Sequence, residues 1–358
     1  MTAPLHGPEA GLGSVGEVAG HTVVLHHGDP AREYEALRSG AMLVDRSERL
    51  RLTLDGEKAG ETLGGLVTND VQALQPGEGA YACALTPKGR ILADVRVFVL
   101  HGHRILVDSP PRCAASLLAM IRKYVNPRSS RYVDVSAELR NVGLFGVQSR
   151  RIVAELTGIA APLLQVLPLY GHMSVELDGR PLVVARVPDV GLEGYELFGS
   201  GELLAKLCES AQARGATPTG LEAWDVARIE AGRPEWGIDM DEQTIPQEAN
   251  MDDLHAISYT KGCYTGQEVV ARVHFRGHVN RHLRGLRTTA DQPLPRQAQL
   301  TDATGKVLGD VRSATLSPRL GNVALAMVRR EVEPGTTMNA TWEGGAADVT
   351  VWPLPFPL

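Results

Sequence analysis

KGCYTGQE, residues 261–268, is the segment of this 358-residue chain from which its class can best be worked out. Thr265 and Glu268 have the spacing of a capping box, in which the threonine oxygen accepts from the amide three residues on and the glutamate reaches back. This spacing predicts a helix over 266–275. Cys263 would then lie just before the helix, close to the positive end of its dipole.

Cys263 has two features of a reactive cysteine. A thiolate is stabilised near a helix N-terminus and beside a cation, and Lys261 supplies the cation. Gly262 and Gly266 leave the sulfur accessible in this reading. The alternative, that Cys263 is a small residue packed beneath a turn, stays open. The candidate catalytic groups of the segment are therefore Cys263 and Lys261.

The sequence that follows is basic, although the whole chain has a formal net charge of -6. Between residues 261 and 287 the single acid Glu268 faces six basic residues, which are Lys261, Arg272, Arg276, Arg281, Arg284 and Arg287. A polyglutamate tail, a phosphate or RNA would each suit such a run, but the negative total argues against a general nucleic-acid-binding protein. A metal site is a less favoured alternative for three histidines that recur every fourth residue, His274, His278 and His282.

Length and composition predict two or three domains and a reducing compartment. The four cysteines have neither zinc-type spacing nor the density of a disulfide framework, which favours a cytoplasmic protein. The chain has no run of about twenty apolar residues, so no membrane span is expected. Five glycines lie in residues 1–20, which are expected to form a loose tail.

Strand and helix signals predict an α+β body followed by an all-β module. The body is expected over 21–282, in two lobes divided near 140–150. Paired strands are expected at 81–85 and 91–100, around the turn Pro87-Lys88-Gly89. Beyond the body, short strands separated by glycine turns predict a C-terminal β-barrel over 283–358.

Several motifs together resemble one superfamily. The octapeptide is similar to K-G-C-Y-x-G-Q-E, the signature of the YgfZ family, a branch of the folate-binding aminomethyltransferases that include the glycine-cleavage T-protein. Further similar motifs follow the same order between residues 30 and 357, and they include LVTNDV (66–71), GYEL (194–197), RIEAGRP (228–234) and IPQEA (245–249). The chain is therefore identified as a member of this superfamily through its YgfZ branch. The resemblance implies a three-lobed body with a central folate pocket, closed by the barrel.

The resemblance also implies tetrahydrofolate or a derivative as cofactor, and it assigns contacts to it. Glu196 would hold the aminopyrimidine edge of the pterin, since a carboxylate can accept two hydrogen bonds there. Arg228 would lie in the folate-contacting helix, and Tyr81 would stack on the ring or touch its edge. Structural alternatives stay open: Glu196 at the surface, Arg228 paired with Asp225, and Tyr81 in the core.

One departure from the T-protein pattern affects the expected chemistry. That branch carries two adjacent aspartates after a G-G turn, and one of them positions the folate nitrogen for transfer. Here Ala93 replaces the first aspartate, Arg90 replaces the second glycine, and Asp94 is retained. Asp94 is therefore a candidate both for catalysis and for cofactor binding, and the departure weighs against glycine-cleavage transfer more than against folate binding.

Three functions are weighed. The YgfZ resemblance favours a tetrahydrofolate-binding accessory protein for iron–sulfur cluster assembly or repair, with Cys263 as the working thiol and iron–sulfur client or assembly proteins as partners. The alternative, and the expected reaction if the chain is an enzyme, is folate-dependent aminomethyl transfer with Asp94 orienting folate and Cys263 structural. The third is an RNA-interacting or tRNA-modification-linked protein, although only Tyr264 and Phe275 accompany the arginines for base stacking.

Overall fold

The computed structural model describes residues 4–8 and 11–357. Its strands, in chain order, are β1 (Ser14–Val18), β2 (His21–His26), β3 (Ala41–Asp45), β4 (Leu50–Asp55), β5 (Gly79–Leu85), β6 (Ile91–Val99), β7 (Arg104–Ser109), β8 (Arg131–Asp134), β9 (Arg140–Phe145), β10 (His172–Leu177), β11 (Arg180–Arg186), β12 (Gly194–Gly199), β13 (Ala216–Thr219), β14 (Arg281–Thr288), β15 (Gln299–Thr301), β16 (Val307–Ser317), β17 (Gly321–Arg329), β18 (Thr337–Trp342) and β19 (Gly345–Trp352). Its α-helices are α1 (Pro30–Ser39), α2 (Ala59–Gly64), α3 (Ala114–Tyr124), α4 (Ser149–Thr157), α5 (Ala161–Val166), α6 (Gly201–Ala213), α7 (Leu221–Glu230) and α8 (Gln267–Arg276).

Two sheets build the body. The first has five antiparallel strands in the order β5-β6-β7-β4-β8, and the second has six in the order β10-β11-β12-β9-β3-β13. Within the second sheet β13 runs parallel to β3 and the remaining pairs are antiparallel. Because β3 precedes the whole first sheet in sequence, the two sheets are not consecutive halves of the chain. The division of the body into two lobes near residues 140–150 therefore stays a prediction.

The C-terminal module is a closed six-stranded barrel, in the order β14-β17-β16-β15-β18-β19 with β19 pairing back to β14. Its interior is apolar and includes Leu286, Leu300, Val311 and Val349. Closure pairs every strand edge, which removes the exposed edges that favour aggregation. The predicted α+β body with a C-terminal β-barrel is thus confirmed.

Local signals explain several element boundaries. Asp29 caps α1 by accepting hydrogen bonds from the amides of Ala31 and Arg32, and Pro30 occupies the first helical position. The predicted hairpin of β5 and β6 forms around a turn at Gly89, which has a φ of 70° and donates its amide to the Thr86 carbonyl. These elements follow from short-range chemistry.

The N-terminal region differs from the expected loose tail. Residues 14–18 form β1, which pairs with β2 in a two-stranded antiparallel hairpin. Contacts between β2 and α7 fix this hairpin on the body. The glycine content of residues 1–20 is therefore a poor guide, because Gly11 and Gly20 lie in turns beside a paired strand and Gly16 lies within it.

None of the helices described is both long and apolar enough to cross a lipid bilayer.

Candidate functional site

A cavity of about 300 Å³ lies at the centre of the body. Its walls come from segments far apart in sequence: the β1–β2 hairpin, residues 46–49, strands β5 and β6, residue Asp189, and the segment from α7 to Ile238. Six arginines line it, each near acidic partners, and they are Arg46, Arg49, Arg96, Arg112, Arg228 and Arg233. The site is therefore polar and ion-paired, with one aromatic wall formed by Trp224 beneath the Arg46 guanidinium, 4.3 Å from the ring centroid.

Strand β6 presents alternate residues to this cavity. Ala93, Val95 and Val97 point into the apolar core on the other face of the sheet and are fully buried. Asp94 and Arg96, two residues apart, share the face that lines the cavity. The retained aspartate is therefore the residue that faces the cavity, and Ala93 is a core residue.

Asp94 is a buried carboxyl group with one satisfied and one unsatisfied oxygen. Its Oδ2 accepts a hydrogen bond from the hydroxyl of Tyr81 at 2.9 Å. Its Oδ1 is buried and has no hydrogen-bond partner in the described structure. Burial raises the pKa of Asp94 to about 6, although Arg49 and the Tyr81 hydroxyl oppose the rise. A buried acceptor without a donor is costly, and here it belongs to a residue that lines the cavity.

Tyr81 is held on both sides of its ring. The ring of Tyr170 stacks on it with centroids 5.9 Å apart, and the Arg233 guanidinium lies 5.5 Å from its centroid. Arg233 also donates to the Tyr170 hydroxyl at 2.7 Å. Burial, and next the charge of Asp94, raise the pKa of Tyr81 well above its usual value, so its hydroxyl remains a donor. The structure thus gives Tyr81 a fixed orientation at the cavity wall.

Glu196 lies away from the position expected for a pterin contact. It is fully buried on β12 and is absent from the cavity lining, which also excludes the surface alternative. Its Oε2 accepts from Arg96 at 2.7 Å and from Asn141 at 2.9 Å. Arg96 is the lining residue of this pair, and Glu196 contacts it from outside the lining. The geometry therefore does not favour a direct contact between Glu196 and a pterin.

Arg96 joins three carboxylates from different parts of the body. Besides Glu196, it pairs with Asp189 at 2.9 Å and donates Nε to Asp108 at 2.9 Å. Asp108 also pairs with Arg49 at 2.6 Å. Although burial opposes ionisation, Arg49 and Arg96 lower the pKa of Asp108, which remains a carboxylate. The sequence analysis missed this network, whose one local signal is the spacing of Asp94 and Arg96 on one strand face.

Arg228 lines the cavity, and its donors are taken by protein groups. It pairs with Asp225 at 2.6 Å, as the ion-pair alternative states, and with Asp239 at 2.8 Å. Its third donor reaches the hydroxyl of Ser313 on β16, at 3.0 Å. Arg228 therefore ties α7 to the barrel, and a folate contact would have to displace one of these partners.

The capping box predicted in the octapeptide does not form. Helix α8 spans Gln267–Arg276, close to the expected bounds, but Gly266 precedes it and supplies no side-chain cap. Gly266 has a φ of 82°, and a Cβ there would lie 2.6 Å from the carbonyl oxygen of Thr86. The amide of Thr265 instead donates to the Gly65 carbonyl at 3.1 Å. Tight packing on the β5–β6 turn thus replaces the cap.

Lys261 and Cys263 do not form the expected reactive pair. The ammonium group of Lys261 points inward and donates to the carbonyl oxygens of Gly64, Val67 and Asn69, the last two at 2.8 and 2.7 Å. Cys263 is exposed and is absent from the cavity lining. Cys263 therefore lies outside the lining of this cavity, and a role for the thiol beside a cofactor stays a prediction.

The basic run after the octapeptide is not one charged face. Arg281 pairs with Glu248 at 3.0 Å, Arg272 pairs with Glu268 at 3.4 Å, and Arg287 lies 4.9 Å from the ring centroid of Trp352. His274 stacks on Tyr259 with centroids 3.6 Å apart, and no three metal-binding side chains cluster suitably within the described ranges. The described residues therefore hold no histidine metal site, and these contacts give the RNA-binding alternative no support.

The fold and the site together define a class of protein. Its members have a two-sheet α+β body around a polar cavity, followed by a closed barrel. The family described as the GCVT N-terminal domain matches residues 15–258, and the glycine cleavage T-protein C-terminal barrel domain matches residues 281–356. The chain belongs to the GCVT family.

Named relatives point to one activity. The chain is 30% identical to an aminomethyltransferase of Nostoc sp. strain PCC 7120, over 91% of this chain and 87% of the relative. It is 32% identical to an aminomethyltransferase of Thermosynechococcus vestitus, over 85% and 81%. The crystal structure of the glycine cleavage system aminomethyltransferase T from Bartonella henselae superimposes with a TM-score of 0.87, covering 96% of this chain and 94% of that one, and at 23% identity it shows the shared fold.

These similarities correct the favoured function. The superfamily predicted from the motifs is confirmed, but the placement in the YgfZ branch is not supported, because the relatives that match along most of the chain are aminomethyltransferases. The iron–sulfur assembly or repair function is therefore wrong, and iron–sulfur partners and tRNA modification lose their support with it. The alternative, aminomethyl transfer, is the better reading.

Proposed function

We propose that this protein is a folate-dependent aminomethyltransferase, with its reaction centre at Asp94 in the central cavity. The single observation that carries the proposal is the buried carboxyl group of Asp94, a residue of the cavity lining whose Oδ1 has no hydrogen-bond partner among the described residues. The relatives named aminomethyltransferase, which match most of the chain, support the same reaction class.

The residues of the cavity fit a reduced folate. A pterin ring is flat and carries N–H donors along its edge, and Asp94 Oδ1 is an acceptor that lacks a donor. Trp224 and Tyr81 belong to the lining, and Arg46 has a buried Nη1 without a partner among the described residues, suited to an acceptor atom. A bound tetrahydrofolate would supply the amine nitrogens that accept the one-carbon unit.

The chain's own contribution is orientation and proton transfer. The Tyr81 hydroxyl fixes Asp94 Oδ2 and leaves Oδ1 as the carboxyl oxygen available to a ligand donor. As a carboxylate, Asp94 can accept a hydrogen bond from an attacking N–H group and take its proton as the new C–N bond forms, while the bond from the transferred carbon to the donor's leaving group breaks and its electron pair leaves with that group. Glu196 acts through Arg96, which it holds, and Arg228 acts through the tie between α7 and the barrel.

Two measurements on the wild-type protein test the proposal. Calorimetry with tetrahydrofolate measures binding, and a product assay measures methylenetetrahydrofolate formed from an aminomethyl donor of the glycine-cleavage type and from methylated amines. We expect binding together with product from an aminomethyl donor. Binding without product from any of these donors would contradict the transferase function.

Replacing the exposed thiol is expected to have little effect. A Cys263→Ala variant should bind tetrahydrofolate and transfer the aminomethyl group at wild-type rates, because Cys263 lies outside the cavity lining. The assay is the product assay above, run on both proteins in parallel. A loss of activity in a folded Cys263→Ala protein would show that the thiol takes part in the reaction.

A further inference from the structure

Lys261 has an unusual set of partners for a surface-loop lysine. Its ammonium group donates to three backbone carbonyls of one segment, residues 64–69, and lies 5.0 Å from the ring centroid of Tyr264. An ammonium group has three N–H donors, so three carbonyl acceptors use all of them. Aminomethyl transfer as described above gives Lys261 no role, although it opens the octapeptide.

The segment that Lys261 holds is attached to the strand that carries Tyr81. The side-chain amide of Asn69 donates to the backbone carbonyl of Tyr81 at 2.8 Å and to that of His255, also at 2.8 Å. One residue earlier, the Thr68 hydroxyl accepts from the amide of Cys83 at 2.8 Å, and the Thr68 amide donates to the Cys83 carbonyl. Residues 68–69 therefore clamp β5 on both sides of Ala82.

We propose that Lys261 is a positioning residue for the proposed transfer: it holds Asn69, Asn69 holds β5 at Tyr81, and the Tyr81 hydroxyl holds the carboxyl group of Asp94. The inference rests on the proposed function for its catalytic meaning. The positioning chain, defined as Lys261, Asn69, Tyr81 and Asp94, runs from the loop before α8 to the cavity.

The chain of contacts can transmit a displacement because each link is short and directional. Lys261 reaches the Asn69 carbonyl at 2.7 Å, and Tyr81 reaches Asp94 at 2.9 Å. Loss of the ammonium group would free three carbonyls and loosen the clamp on β5. A hydroxyl displaced by about 1 Å no longer fixes Asp94, and such a misplacement can cost about 100-fold in rate.

The decisive variant is Lys261→Met, which keeps the length of the side chain and removes its donors. We expect the kcat of transfer to fall about 10- to 100-fold while tetrahydrofolate binding stays near the wild-type value. Lys58→Met is the matched control, because Lys58 is largely exposed and pairs only loosely with Glu61, at 4.0 Å.

A second readout does not depend on transfer. The Tyr81 hydrogen bond lowers the pKa of Asp94 against the larger raising effect of burial, so its loss must raise that pKa further. Carboxyl-labelled aspartate, assigned with Asp94→Asn, reports this titration by NMR in the ligand-free protein. We expect Lys261→Met to move the midpoint up by about one pH unit. Its neighbours Arg49 and Glu235 are unchanged in that variant.

A double variant separates positioning from general damage. Tyr81→Phe should move the Asp94 midpoint as Lys261→Met does, and the double variant should move it no further, because both remove the same hydrogen bond. If Lys261→Met does not fold, Asn69→Ala breaks the positioning chain at its middle and is measured instead.

The outcomes are distinct. An unchanged Asp94 midpoint in a folded Lys261→Met protein, or in Asn69→Ala if it must stand in, overturns the inference whether or not the wild type is active. A moved midpoint, with no additional effect in the double variant, supports it. Absence of transfer by the wild type would defeat the proposed function alone, and the NMR titration would still decide the role of Lys261.

Discussion

An Asp94→Asn variant is expected to lose aminomethyl transfer by about 100- to 10,000-fold, the usual contribution of a positioned acid–base group. Asparagine has nearly the same size and can still accept from Tyr81, so the cavity keeps its shape. It cannot take a proton, and its amide places a donor where a ligand donor is expected. Product formation at saturating folate, compared with wild type, is the measurement.

The control for this prediction is Asp55→Asn, on β4 and paired with Arg104 at the surface, which should leave transfer unchanged.

The stability of the Asp94→Asn variant provides a second check. Because burial raises the pKa of Asp94 to about 6, its ionised form costs folding free energy once the pH rises through that value. Asp94→Asn should therefore be at least as stable as wild type at pH 7 in a denaturant melt. Full activity in Asp94→Asn would show that Asp94 does not take part in the reaction.

The same group sets the expected pH dependence. The carboxylate form of Asp94 is the proton acceptor, and it predominates only above a pH of about 6. The value of kcat/KM should therefore rise with pH through about 6 in the wild type. A flat wild-type profile between pH 5 and 7, in a protein that stays folded, would contradict this assignment.

An Arg96→Met variant is expected to lose about 3–5 kcal/mol of folding free energy. Arg96 is buried and neutralises three carboxylates, from Asp108, Asp189 and Glu196. Methionine fills a similar length but leaves these charges with fewer partners in a site shielded from water. Guanidinium or urea unfolding at neutral pH measures the loss.

Arg104→Met is the matched control, since Arg104 is more than half exposed and pairs with Asp55 at the sheet edge. An exposed pair contributes about 0–1 kcal/mol, so the two variants should differ clearly. The loss in Arg96→Met should also shrink on acidification, because arginines lower the pKa of Asp108 and Asp189 against burial and that benefit disappears once the carboxylates are protonated. Equal losses in both variants would show that the buried network does not carry this stability.

The sequence predicted elements that depend on short-range chemistry. The β5–β6 hairpin and the approximate bounds of α8 follow from residues within a few positions of one another. The order of the six-stranded sheet did not follow, because β3 pairs with β9 and β13, and no local pattern specifies such distant partners. The candidate site shows the same limit. Asp94 and Tyr81 were found, but the partners of Arg96 come from two other strands and from the loop between β11 and β12.

The octapeptide misled the functional reading for a physical reason. Its Gly266 is required by close packing on the β5–β6 turn, and its Lys261 by three backbone carbonyls. Such residues are dictated by the fold, so proteins that share this architecture can share the motif whatever reaction they perform. The direction of the Lys261 side chain decides whether its ammonium group lies beside the Cys263 thiol or binds backbone carbonyls. The sequence of the octapeptide does not specify that direction.

The cavity walls come from the β1–β2 hairpin, the loop after β3, strands β5 and β6, and α7, so more than 200 residues separate the first wall from the last. The pocket therefore exists only when the whole body is assembled. Any molecule that occupies it binds the folded state alone and raises stability with the logarithm of its concentration. A thermal melt is thus sensitive to every true ligand of this protein, including those whose chemistry produces no detectable product.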